Sequence, residues 1–263
     1  MWVSTSCDLK FNIITPTPFV LMLRPRSGAN QWISYEEYAI VPSVSVSEFT
    51  DIYGNLCQRL IAPVGNFSIH TTAKVMTSDT IDKAPGAPFV EIQNLPESVL
   101  IYLLPSRYCE SDRFSQMTSE IVSNELLGYN QVLAIMKWLQ NNIIFEPAIS
   151  DALVSASEVN IRKYGVCRDL SHLGIAMCRS ISIPARMVVG YLHGLEPMDL
   201  HAWFEAYVGD RWYLFDATQI QSKGGYVAIG YGRDAADVAI YNQFGPSVYT
   251  SSQHISVQQI EDN

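Results

Sequence analysis

The 263 residues predict an α+β protein: an N-terminal antiparallel β-sandwich, then a unit in which a cysteine-bearing helix packs on an antiparallel sheet carrying a histidine and an aspartate. Three observations predict it. Residues 8–105 break into short runs rich in Val, Ile, Phe, Tyr and Thr, separated by Pro, Gly, Asn and Asp, with no helical period. A polar stretch holding Ser106, Ser111, Ser115 and Ser119 then gives way to apolar residues at helical spacing, which divides the chain into 1–115 and 116–263. Finally, Cys167 opens an amphipathic helical pattern and is followed by a hairpin pattern carrying His201 and Asp216.

In the first segment, strands are expected at Phe19 to Leu23, Ile33 to Pro42, Val44 to Thr50, Leu56 to Ala62, Phe67 to Met76 and Ser98 to Leu104. Asp51 to Asn55 is a turn, because Gly54 and Asn55 tolerate positive φ. Regularly spaced short strands with turn residues favour an antiparallel sandwich.

In the second segment, Val132, Ile135, Met136 and Leu139 share one face of a helix from about Asn130 to Asn142. Ser155 and Glu158 form a capping-box pattern that starts a short helix, which Gly165 can end. The next helix begins at or just before Cys167, with Leu170, Leu173, Gly174, Met177 and Ile181 as its apolar stripe, and Pro184 stops it. Ala185 to Leu192 is a strand, Leu200 to Val208 another, Gly209-Asp210 a turn and Arg211 to Phe215 the return strand. The chain past Thr218 is Gly-rich and irregular until a last strand at Ser251 to Ile260.

Composition excludes several classes. With 48% apolar and 16% charged residues the chain can bury a sizeable core. A net charge of -9 argues against a nucleic-acid partner, which needs clustered Lys and Arg. The longest apolar runs, Pro18 to Leu23 and Val99 to Leu104, are too short to cross a bilayer. The first residues lack a basic stretch followed by an apolar one, so no signal peptide is expected. Five cysteines without a Cys-x-x-Cys pair imply neither a disulfide framework nor a zinc knuckle, and no acidic loop has calcium-binding spacing. The expectation is a cytoplasmic protein with reduced thiols and no metal or cofactor. Oligomeric state is not readable from the sequence.

The chemistry rests on Cys167, His201 and Asp216. A helix N-terminus and a cationic imidazole both favour a thiolate, and the free N-H groups of a first helical turn can donate to an oxyanion. If the hairpin turns at Gly209-Asp210, His201 and Asp216 are diagonal neighbours on one sheet face, about 7 to 8 Å apart at Cβ, which an imidazole and a carboxylate can bridge. Cys167 is then the nucleophile, His201 the base and acid, and Asp216 the group that fixes the imidazole tautomer.

Four motifs in this order resemble a known family: Gly-Val-Cys-Arg-Asp-Leu-Ser-His around Cys167, Ile-Pro-Ala-Arg-Met-Val-Val-Gly-Tyr ending at Tyr191, His-Ala-Trp-Phe-Glu-Ala-Tyr from His201, and Trp-Tyr-Leu-Phe-Asp-Ala-Thr ending at Thr218. Together they look like the core of the bacterial transglutaminase-like proteins, often described as cysteine proteases. The resemblance spans about Asn130 to Val238, and the β-rich first part, with Tyr53 to Asn55, is similar to the region preceding that core. It implies a papain-like fold with Cys167, His201 and Asp216 as a catalytic triad. Where the family has Asp-Pro-Thr, this chain has Asp-Ala-Thr at Asp216 to Thr218. For the oxyanion side chain such enzymes supply upstream of the thiol, Trp138, Gln140 and Asn142 are the candidates.

Asp169 and His172 could support the site, or complement the helix dipole and satisfy a backbone acceptor. Trp203 is core or cleft wall, and Cys178 beside Met177 is packing. A zinc site built from Cys167, His172 and His201 lacks paired ligand spacing. The expected activity is cleavage of a peptide or carboxamide bond through a thioester on Cys167, on a peptide or protein substrate. The rivals are a transglutaminase that resolves the thioester with an amine, and an inert binding scaffold.

Overall fold

A computed structural model describes residues 1–28, 30–147, 152–221 and 223–261. The first six strands are β1 (Trp2–Ile13), β2 (Thr17–Leu21), β3 (Gln31–Val41), β4 (Ser47–Thr50), β5 (Leu56–Ala62) and β6 (Gly65–Thr77). Alternate residues of β1, from Val3 through Cys7, Leu9 and Phe11 to Ile13, are buried, as expected of a strand with one face on a core. Rings from three strands meet there: Phe19 stands 5.3 Å from Phe11 and 6.3 Å from Phe67.

The helices are α1 (Glu97–Leu100), α2 (Ser115–Ile121), α3 (Tyr129–Asn142), α4 (Ala156–Arg162) and α5 (Cys167–Ser180). Among them run two short parallel strands, β7 (Ile144–Phe145) and β8 (Tyr164–Gly165). The sheet that follows is built from β9 (Ala185–Leu192), β10 (His201–Val208), β11 (Arg211–Phe215) and β12 (Tyr226–Gly232), in the order β11-β10-β9-β12. The chain ends with β13 (Tyr241–Gln243) and β14 (Thr250–Ile260).

These last two strands return to the beginning of the chain. β14 pairs antiparallel with β1 in the sheet β14-β1-β6-β3, and β13 pairs with β2 in β13-β2-β5-β4. Strand pairing therefore crosses the 115/116 boundary, and one core runs from Val3 through α5 to Val257.

No element was expected at β1, α2, β7, β8 or β13, and three further elements differ from the expectations. Ser98 to Leu104 is not a strand: α1 continues into a 3-10 turn at Ile101–Leu103. Pro96 stands just before its first turn, and the buried residues Val99 and Tyr102 are three apart, a helical rather than an alternating period. α4 ends at Lys163, which takes the left-handed conformation (φ 62°) two residues before Gly165. β12 forms where no element was expected. Its sequence, Tyr-Val-Ala-Ile-Gly-Tyr-Gly, carries two glycines and a register shift between Ala228 and Gly230, features that weaken a strand signal.

The free edge of β12 is closed by side chains rather than by a strand. The Gln31 amide donates to the Ala228 carbonyl (2.8 Å) and accepts from its N–H (2.7 Å). The Asn55 amide does the same at Tyr231 (2.7 and 2.8 Å). The Thr77 hydroxyl donates to the Tyr226 carbonyl at 2.6 Å. Three residues of the sandwich thus satisfy backbone groups that an edge strand would leave open.

Candidate active site

The site is assembled where the start of α5 meets the start of β10. β8 pairs in parallel with β7 and delivers the chain to Val166, whose N–H donates to the Asp169 carboxylate at 3.2 Å. That bond closes the first turn of α5 and fixes Cys167 at its first position. Asp169 also receives Arg162 (2.6 Å) and Arg168 (3.1 Å) and is fully buried, so it anchors the helix start rather than reaching into the cleft. Gly165 is small for the same reason. A Cβ there would lie 2.8 Å from the Asp169 Cβ, so the space is needed by the helix-capping acid, not by a substrate. Farther along, a Cβ on Gly174 would lie 2.7 Å from the Phe204 ring, so its absence lets α5 settle on β10.

The hairpin of β10 and β11 turns at Gly209 and Asp210, both with positive φ (54° and 63°). Its register pairs Val208 with Arg211 and Phe204 with Phe215. This brings the His201 Nε2 to 2.6 Å from the Asp216 Oδ2, both residues buried. The Cys167 side chain lines the same cleft as this imidazole and contributes to its raised pKa. Because Nε2 is committed to Asp216, Nδ1 is the nitrogen left for the thiol. Cys167, His201 and Asp216 are therefore brought together, and Cys167 is the one cysteine of the five that is not buried.

Asp216 is held by more than His201. Its Oδ1 accepts from the Thr218 N–H (2.9 Å) and hydroxyl (2.7 Å), and its Oδ2 accepts the Tyr226 hydroxyl at 2.8 Å. Burial opposes its ionisation, but the charge and hydrogen bond of His201 and the two Thr218 donors outweigh burial and hold the carboxyl below the usual range. Burial likewise opposes protonation of His201, and the Asp216 charge and hydrogen bond, with a further contribution from Cys167, raise it well above the ordinary 6.5. The pair is thus an imidazolium–carboxylate at neutral pH.

Tyr226 and Thr218 escaped the sequence reading. Thr218 had a signal, since an Asp side chain commonly accepts from the residue two positions on. Tyr226 had none, lying in the irregular Gly-rich stretch.

The remaining candidates take other places. His172 is buried and held at both nitrogens: Nδ1 stands 3.1 Å from the Val154 carbonyl, and Nε2 accepts from the Ala235 N–H at 3.2 Å. Its ring stacks on Tyr108 at 5.2 Å, and burial lowers its pKa to about 4. A neutral ring committed to two backbone groups has no lone pair for a zinc ion shared with Cys167. Gln140 donates to the Gln219 carbonyl (3.2 Å), Asn142 to the Trp138 carbonyl (2.8 Å), and Trp138 lies under Lys163. None of these three lines the cleft at Cys167. Trp203 stacks beside His201 at 6.1 Å and meets Tyr226 edge-on at 5.0 Å, forming the packed bed of the pair.

Cys167 and His201 open on a cleft of about 360 Å³. Met187 and Val189 of β9, Leu200 and Ala202 beside His201, and Val238 and Ile240 after β12 are among its walls.

The same fold has been seen before. The structure of "a Putative Cysteine Protease" from Cytophaga hutchinsonii superimposes with a TM-score of 0.91 at 33% identity, covering all of this chain and 92% of that one. The chain belongs to the transglutaminase-like superfamily. The model of the Transglutaminase-like superfamily core matches residues 115–217, which include Cys167, His201 and Asp216. The uncharacterized protein ML0607 of Mycobacterium leprae (strain TN) is 23% identical over 229 residues, 82% of each chain. Among the described residues, no helix is long and apolar enough to cross a membrane.

Proposed function

We propose that this superfamily member is a thiol acyl-transfer enzyme, a cysteine protease or amidohydrolase that cleaves a peptide or carboxamide bond. One observation carries the reading: a single imidazole, held by the Asp216 carboxylate, shares a cleft with the least buried thiol, which sits at the head of a 14-residue helix. The imidazolium and the helix N-terminus stabilise negative charge on the Cys167 sulfur. That sulfur attacks the substrate carbonyl, and the N–H groups of Cys167 and Arg168, which precede the first hydrogen bonds of α5 from Asp169 and Leu170 to Val166, donate to the oxyanion. As the C–N bond breaks, His201 gives its proton to the leaving amine. Water, deprotonated by His201, then cleaves the thioester, releasing the carboxylic acid and restoring the thiol. Asp216 stays ionised and holds Nε2 throughout.

The substrate is a peptide or protein, and the five free cysteines suit a reducing, cytoplasmic setting. Turnover of a peptide library by the wild type and by Cys167→Ala tests the reading. Cleavage that vanishes with the sulfur supports it, and cleavage that survives overturns it. Incorporation of a labelled amine in place of hydrolysis would reassign the reaction to transamidation.

A further inference from the structure

The walls of the cleft carry a substrate class. Val189 pairs directly with Ala202, one step from the pairing of Gly190 with His201, and both side chains line the cleft onto which Cys167 and His201 open. Met187 and Leu200 extend that wall, and Val238 and Ile240 line the cleft as well. None of these six offers a hydrogen bond or a charge. The acidic residues of the cleft, Glu196 and Asp199, are exposed to solvent, and Asp199 is engaged by Gln253 at 2.9 Å. Arg168 is committed to Asp169 and to the Ala152 carbonyl at 2.8 Å. A charged or amide side chain seated against these walls would lose its water and gain no partner, whereas an aliphatic or aromatic one gains by the same burial.

Resting on the function proposed above, we infer that the residue whose carbonyl Cys167 attacks carries an apolar side chain, seated against Val189 and Ala202, and that glutamine, glutamate and lysine are poor there. This separates the protein from an enzyme selecting a glutamine carboxamide: the acyl donor is a backbone amide following an aliphatic or aromatic residue.

Peptidyl acyloxymethyl ketones that differ only in the residue next to the ketone test this without any known substrate. The Cys167 thiolate forms an S–C bond as the C–O bond to the carboxylate leaving group breaks, and labelling is read by mass spectrometry. Leucine and phenylalanine probes should label at least ~10-fold faster than glutamine, glutamate and lysine probes, the discrimination of an apolar pocket against polar groups. Val189→Lys should invert the order in favour of the glutamate probe. Ile240→Lys, at a half-buried position of the same cleft, makes the same measurement if the first variant does not fold. Equal rates across the probes, or an order unchanged in folded Val189→Lys and Ile240→Lys, overturn the inference while leaving the nucleophile in place. If Cys167 reacts with none of the probes, nor with iodoacetamide faster than an ordinary thiol, the proposed function fails and the inference with it.

Discussion

The Tyr226 hydroxyl donates to the same Asp216 oxygen that His201 holds, which makes it the residue whose removal tests how tightly the acid must be fixed. Tyr226→Phe keeps the ring against Trp203 and deletes one hydrogen bond to a buried carboxylate, worth about 1.5 kcal/mol. The expected outcome is a kcat lowered about 10-fold with KM nearly unchanged, checked on the substrate the peptide library identifies. At this scale the sequence was most informative about the thiol, the imidazole and the carboxylate, because helix capping and hairpin parity are local rules. Gln140 and Asn142 show the limit. Both lie on the helix that sequence periodicity identifies, but their amides turn to nearby backbone carbonyls, and nothing in the spacing foretells that choice.

Among elements, α5 packs against β9, β10, α2, α3 and α4, and His172 is its tie to the loops on either side. Its two nitrogens join the helix to the backbone at Val154 and Ala235, each adjacent to or part of the cleft wall. Burial lowers its pKa to about 4 in the fold, against 6.5 in an unfolded chain. Between these values the unfolded chain binds a proton that the folded one does not. The stability His172 contributes is therefore fully present above about pH 6.5 and falls as pH drops toward 4. Urea midpoints measured from pH 7.5 to 4 should fall through this window in the wild type. In His172→Gln, which is less stable at pH 7.5, the fall should be shallower. The beginnings of α4 and α5 were legible from Ser155, Glu158 and the apolar stripe after Cys167. The end of α4 was not, because a lysine in the left-handed conformation looks like any other lysine in sequence.

At the scale of the whole molecule, the sandwich and the β9–β12 sheet are one structure joined by side-chain amides. The Asn55 side chain exchanges two hydrogen bonds with Tyr231 and a third with Asp51, so Asn55→Ala orphans a half-buried N–H and carbonyl at the edge of β12. The loss should be about 2–3 kcal/mol in chemical denaturation. Adding Gln31→Ala should lower stability further and reduce activity, because β12 carries Tyr226. The strands β2 to β6 could be read from their turns. The closure by β13 and β14 could not, because a strand's sequence says which face is buried and not which distant strand it joins. β1 had the alternation of a half-buried strand in plain view at Val3, Thr5, Cys7, Leu9, Phe11 and Ile13.

The rate at which iodoacetamide alkylates Cys167 at neutral pH, in the wild type and in His201→Ala, tests the central claim most directly. The account predicts that Cys167 reacts at least ~10-fold faster than an ordinary exposed thiol such as glutathione, and that His201→Ala loses most of this advantage. A Cys167 that reacts no faster than glutathione, at a rate His201→Ala leaves unchanged, would contradict it.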